Sequence, residues 1–305
     1  MTMTTGFNAS DREHSHFSYS PITSRPALRL PGGAKLVLSI VLHFECMDFA
    51  VTAETVKDPR WRERIQPDPR HYSWYEYGNR VAIFRILDLL DRLNLRVTVA
   101  ANALACERYP FLVGEFLRRG YEIAAHGHAA NSMVSGAMKN ADEEALIGDV
   151  ISRIEACSEQ PVEGWISQDY GQSPSTPALL AKAGLKYLID WPNDDQPFVM
   201  TGAGGIISIP AAFELDDMRL FVDRKMQAWR YPHMVGDAAA CLLAEGADQP
   251  RLLPLSIHPW VFGAPHRFRY LDQTLQGLAG NELIWNATGR DIALRIKSLA
   301  GLSSA

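Results

Sequence analysis

What this sequence lacks narrows it first. No stretch concentrates lysine and arginine and the formal charge is −5, so nothing in it invites nucleic acid or an anionic membrane surface. The four cysteines, Cys46, Cys106, Cys157 and Cys241, include no CxxC pair, which excludes a disulfide framework and a structural zinc pattern. No run approaches the ~18 apolar residues of a membrane-spanning helix. The opening "MTMTTGFNASDREHSHFSYS" is polar without an apolar h-region and does not read as a secretory signal. A reducing, cytoplasmic setting is therefore expected. A dinucleotide-binding glycine fingerprint is also missing, because the first strand–helix junction reads "HFECMDFA".

What is present is an ordinary globular composition, 47% hydrophobic and 21% charged. After a polar N-terminal extension over residues 1–34, "KLVLSIVLHF" is an almost continuous apolar run, as in a strand buried on both faces of a parallel sheet. Similar runs recur at 96–101, 121–125, 162–166, 186–190, 205–210, 252–257 and 282–285. Helical periodicity separates most of them, over 79–94, 141–158, 175–184 and 288–300, with Gly120 and Gly184 placed as C-cap glycines. Strands alternating with helices predict one (β/α) barrel over residues 35–305, with a doubly wound sheet as the alternative. Two long interruptions, 47–78 and 191–231, follow strand C-termini and are candidate lids or surface insertions.

In such a barrel the chemistry sits just past the strand ends. The first strand delivers His43, Glu45 and Cys46, and "EIAAHGH" delivers His126 and His128. "IDWPNDD" delivers Asp190, Asp194 and Asp195, and "SIHPW" delivers His258. Strand alternation pairs His43 with Glu45 on one face, and His126 with His128. His43 alone reads as a hydrogen-bonded structural residue, and the aspartates serve equally for acid–base work or for capping turns. Cys46 has no adjacent imidazole on its own face to make it a nucleophile. Convergence of Glu45, His126 and His258 from three strands makes them the candidate catalytic trio.

At these residues the chain resembles the polysaccharide deacetylase (NodB-like) superfamily, in the branch of the metal-independent allantoinase of purine utilisation and related cyclic imide hydrolases. The resemblance spans roughly residues 26–296. Its landmarks are "LPGGAKLVLSIVLHFE", "YEYGNR", "RILDLLDRLNLRVTVA", "GYEIAAHGH", "GWISQDYGQSPST", "DDMRL", "IHPWVFGAPHRFRYL" and "RDIA". It implies a distorted (β/α) barrel of about seven parallel strands and a homo-oligomer, with a tetramer as one form. It also implies a divalent metal held by one Asp and an HxxxH pair, beside a base and a late histidine acid. Glu45 falls at the base and His258 at the late histidine. Cys46 stands where the metal's Asp belongs, His126 is the first HxxxH histidine, and Ala130 replaces the second. Gly164 and Trp165 occupy the motif that normally brings an Arg.

No metal is favoured on that pattern. The alternative is zinc held by Cys46, His126 and His128, which requires two substitutions to compensate each other. Without a metal, an unactivated acetamide is a hard substrate, whereas a cyclic imide or ureide has a more electrophilic carbonyl and a better leaving nitrogen. The expected function is hydrolysis of a small cyclic amide, imide or ureide. Glu45 would be the general base, needing a raised pKa, and His126 and His258 would polarise the carbonyl or protonate the leaving nitrogen. Tyr75, Tyr77, Trp165 and Trp191 are candidates to wall a flat ring, with core packing as the alternative. Arg219 and Arg267 are candidates to hold a carboxylate or imide oxygen. A metal-dependent carbohydrate N-deacetylase, a true amidohydrolase barrel and a non-catalytic binding barrel are the competing readings.

Overall fold

The computed structural model describes residues 13–50 and 67–299. Its first strand, β1 (Leu36–Phe44), is buried at every position, as a run apolar on both faces requires. Further strands are β2 (Thr98–Ala101), β3 (Glu122–Ala125), β4 (Gly164–Trp165), β5 (Tyr187–Leu188), β6 (Phe198–Met200), β7 (Ile206–Ser208), β8 (Arg251–Ile257) and β9 (Ile284–Asn286). They form one sheet in the order β6-β7-β5-β4-β3-β2-β1-β8. One side of β1 is shared, because β9 pairs Leu36–Leu38 and β2 pairs Val41–Phe44.

Every strand read from the sequence is present and parallel to its neighbours. The addition is β6, which runs antiparallel to β7 at one edge; its three residues were too few to give a periodic signal. The sheet curls into a half-barrel. Where a regular barrel would close, between β8 and the β6–β7 edge, the described residues hold no strand pair. Two contacts stitch that seam: the Leu252 amide donates to the Asp195 carbonyl (2.8 Å), and Asp216 forms a lone parallel bridge with Ser256. This seam later matters to the site, because it carries the 209–217 segment into the barrel mouth.

The helical patterns also appear, at Ile83–Leu93, Asn140–Ser158, Thr176–Lys182 and Gly289–Leu299. A helix at Pro69–Tyr77, N-capped by Asp68 onto the His71 amide, runs through a π-turn at Gly78–Ala82 into Ile83–Leu93. Gly120 and Gly184 take φ of +67° and +89°, the left-handed conformation that ends a helix without a Cβ penalty. The described part of the N-terminal extension lies against the 191–201 region: Phe17 meets Trp191 and Phe198, and Arg25 pairs with Asp194 at 2.6 Å. Residues 51–66, half of the first interruption, lie outside the described residues, and the reading of that interruption as a lid lies there with them.

In the Gly164–Trp165 pair that occupies the usual Arg motif, Gly164 leaves no room for a side chain. A Cβ on it would lie 2.0 Å from the ring of Tyr187, which is itself fully buried. Gly164→Ala should therefore lower stability by ~1–3 kcal/mol through overpacking, read as a drop in denaturation midpoint. An unchanged midpoint would mean that Tyr187 yields freely.

Candidate active site

Three strand ends converge in the barrel mouth. His43 closes β1, and Glu45, two residues on, projects to the same side. His126 follows β3 and His258 follows β8. All four are buried. Glu45 Oε1 accepts from Gln168 Nε2 at 2.7 Å and lies 3.3 Å from His126 Nε2. Its Oε2 accepts from the Trp260 indole at 3.2 Å and faces His258 Nε2 at 3.8 Å. Asn79 Nδ2 fixes the Glu45 backbone by donating to its carbonyl at 2.7 Å.

The ring tautomers follow from their partners. His126 Nδ1 lies 2.7 Å from the Ile166 carbonyl, which can only accept, so Nδ1 carries a proton and Nε2 faces the site. His258 Nδ1 donates to Asp217 at 2.6 Å, and Asp217 also accepts from the His258 backbone amide. The His258 ring stacks on His43 with centroids 3.8 Å apart and planes within 11°. His43 Nδ1 is 3.2 Å from His126 Nε2, and its Nε2 is 2.7 Å from Ser256 Oγ.

Charge divides these groups sharply. Burial alone would drive His258 toward its neutral form, but the carboxylates of Asp217 and Asp216 and the bond to Asp217 push its pKa up to about 10. Asp217, with its own pKa pushed up to about 6 mainly by burial, is still ionised at neutral pH. His258 is thus an imidazolium. Burial and the neighbouring His258 and His126 drive His43 well below the ordinary histidine value, so it is neutral. Burial opposes ionisation of Glu45, yet the His126 hydrogen bond and the charge of His258 outweigh it and lower its pKa. This corrects the sequence expectation of a raised Glu45 pKa: the bond from His126 and the charge of His258 overcome desolvation.

The cavity over these groups has a volume of about 190 Å³, and its wall includes His71, Trp74, Tyr75, Gln168, Met218 and Trp260. A larger open cleft lies between residues 17–28 and 192–201; two of its charged side chains, Arg25 and Asp194, are bound to each other.

Several sequence candidates lie elsewhere. His128 does not join His126, because β3 ends at Ala125 and Gly127 (φ +72°) turns the chain, ending the alternation. His128 instead bridges Asp48 (3.2 Å) and Arg153 (2.9 Å). Of the ring-wall candidates, Tyr75 lines the cavity, stacked on Trp260 at 4.4 Å. Trp165 is core, its indole donating to Ser167 Oγ at 3.0 Å. Trp191 donates to Gln172 Oε1 at 3.0 Å, and the Tyr77 hydroxyl accepts from Arg85 at 2.7 Å; neither lines the cavity. Arg219 is held by Asp169 at 2.7 Å over the Phe213 ring, and Arg267 reaches the Val261 carbonyl at 3.3 Å over Phe221. Neither guanidinium enters the cavity wall.

The aspartates are similarly placed. Asp190 is buried behind Ser167, accepting from its amide at 2.7 Å and its hydroxyl at 2.9 Å, and burial pushes its pKa up to about 6. Asp194 pairs with Arg25, and Asp195 offers its carbonyl to Leu252.

Sequence reasoning missed other members. His43 was read as structural, yet it sits at the centre of the cluster. Asp217, Gln168 and Trp260 were not singled out. Their signals were the "DDM" doublet, the "SQD" run and the "IHPW" run, all inside quoted landmarks, but their meaning depends on the seam and loops that aim them.

The family's metal can be tested against the residues present. The Cys46 thiol is buried and burial pushes its pKa up to about 12, so no thiolate stands ready there. Ala130 has no donor side chain, and its amide bonds the Cys46 carbonyl at 2.8 Å. That ligand set does not fit. The alternative set of Cys46, His126 and His128 does not gather either: His128 is held by Asp48 and Arg153, and those three are not among the described groups whose ligand atoms lie within 4.8 Å of one another. Among the described residues, two other trios could hold an ion: His43 with Asp216 and His258, and His43 with Glu45 and His126.

Fold and cluster together give a curled (β/α) half-barrel whose mouth sets an ionised carboxylate against an imidazolium. Residues 64–188 match the polysaccharide deacetylase family model. The chain is 26% identical over 241 residues to a polysaccharide deacetylase-type protein of Schizosaccharomyces pombe (strain 972), covering 72% of this chain and 74% of that one. Its structure resembles PuuE allantoinase at TM-score 0.80 and 24% identity, covering 94% of this chain and 97% of that one. It also resembles the probable polysaccharide deacetylase of Pseudomonas aeruginosa PAO1 at TM-score 0.79 and 27% identity, covering 90% and 95%. None of the chain's described helices is long and apolar enough to cross a membrane.

Proposed function

We propose that the protein opens a small cyclic amide, imide or ureide by adding water across one ring C–N bond, without the metal of its family. The observation that carries this reading is the pairing of ionised Glu45 with imidazolium His258 at 3.8 Å on the floor of a small enclosed cavity. Water between Glu45 and the ring carbonyl gives its proton to Glu45 as the O–C bond forms. His258 Nε2–H gives its proton to the departing nitrogen as the C–N bond breaks. The Glu45 carboxylate is a weak base while His258 is charged, because that charge is one cause of its lowered pKa. As His258 loses its proton to the leaving nitrogen, Glu45 becomes more basic, so the two transfers assist each other. His126, anchored on Ile166, orients Glu45.

A ring with a second acyl group on its nitrogen suits this machinery, since its leaving group disperses charge and its carbonyl needs less polarisation. The likeness to PuuE allantoinase supports the same choice. The second reading, a metal-dependent carbohydrate deacetylase, draws on the two trios able to hold an ion. Against it stands the loss of the ligand set that the resemblance implies, with Cys46 at the metal's Asp and Ala130 at the second histidine.

A panel of succinimide, hydantoin, allantoin and N-acetylglucosamine oligomers decides between them, with metal content measured and activity repeated after chelation. Turnover of at least one ring, changed less than about twofold by chelation, is expected. Activity lost on chelation and restored by zinc or cobalt, or deacetylation of the sugar alone, defeats the reading.

A further inference from the structure

Among the described residues lining the cavity, Glu45, Asp169, Asp216 and Asp223 are carboxylic and none is lysine or arginine. Arg219 offsets Asp169 from outside the wall, and His258 stands between Asp217 and Glu45. Asp216 accepts from the Tyr170 hydroxyl at 2.9 Å. Asp223 stands at the mouth with its side chain half exposed, 4.0 Å from Arg219 Nη1. Among these described residues, a carboxylate entering the cavity meets more negative than positive charge.

We propose that the cavity selects its ligand by charge: it takes neutral or cationic rings and turns away rings bearing a carboxylate, with Asp223 at the mouth as a specificity-determining side chain. This rests on the ring-hydrolase reading, and it has a consequence for turnover. Hydrolysis puts a hydroxyl on the acyl carbon and a hydrogen on the nitrogen, and the new acid then loses its proton. The product carries one negative charge that the substrate lacked. Glu45 and Asp223 repel it, which favours release over rebinding. One added unit charge at this range in a partly solvated site corresponds to about tenfold in affinity.

The test uses an isosteric pair, hydantoin-5-acetic acid and its primary amide, with dissociation constants measured by calorimetry at low ionic strength. The amide should bind the wild-type protein ~10-fold more tightly, with the gap narrowing in high salt. Asp223→Asn should shrink the gap, and Asp223→Lys should close or reverse it. Equal binding of the two rings, a gap unchanged in Asp223→Lys, or binding of neither ring overturns the proposal. Because the readout is binding, failure to hydrolyse either ring would count against the ring-hydrolase reading and leave the charge preference measured.

Discussion

Replacing Asp217 with asparagine should move the alkaline limb of kcat/KM downward by roughly two pH units or more. On the proposed mechanism that limb is set in the wild-type protein by His258, whose proton the adjacent carboxylates hold until a pH of about 10. Burial works in the opposite direction on the imidazolium. With the Asp217 charge gone, burial has only the more distant Asp216 and Glu45 against it, and the pKa falls toward or below the ordinary histidine value. At pH 8 the variant should lack its acid, and kcat should drop by ~10²–10⁴. KM should change little, since Asp217 is fully buried behind the ring.

The same linkage sets a stability signature. A histidine whose pKa is raised by folding stabilises the folded state fully below its unfolded value of ~6.5 and loses that contribution as pH rises through about 10. The wild-type melting temperature should fall across that window, and the variant should show a smaller fall. Imidazole NMR of His258 reads the titration without any substrate. A titration unchanged in Asp217→Asn would remove the dyad from the mechanism.

Glu45→Gln should cost more activity than any other single change in the cavity, ~10³-fold or more in kcat with a KM within a few-fold. The amide preserves shape but cannot take a proton from water. It also brings an N–H₂ into a place where Gln168, Trp260 and His126 had one carboxylate to share. At least one donor there must face another, at a cost of ~1–3 kcal/mol, which lowers the melting temperature without unfolding the chain. Glu45→Asp separates the two effects: it keeps the charge and shortens the reach, so partial activity should return. A Glu45→Gln protein keeping a tenth or more of wild-type kcat would show that the water is activated elsewhere.

The architecture was largely legible because burial leaves a direct trace in composition. A strand covered on both faces must be apolar at nearly every position, and β1, β2 and β3 are. β6 escaped notice because three residues carry no period, and because its antiparallel pairing to β7 is decided by the turn at 201–205. Glu45, His126 and His258 were legible for a related reason: polar side chains directly after buried runs have few places to go except the mouth. His128 shows the limit of that rule. Alternation placed it with His126, but alternation holds only while the backbone is extended, and a left-handed glycine lies between them.

The sequence by itself determined the parallel sheet, its strand order of burial, and which strand ends carry titratable groups, since all of these follow from local runs of apolar and polar residues. Only the tertiary structure decided the charges. Asp216 and Asp217 are about forty residues from His258 along the chain, and only the seam against β8 brings them beneath it. His43 looked solitary until it stacked on His258, and Glu45 looked like a carboxyl awaiting a proton until His126 and His258 faced it. Ionisation depends on dielectric and on distance to other charges, and neither exists until the chain has folded.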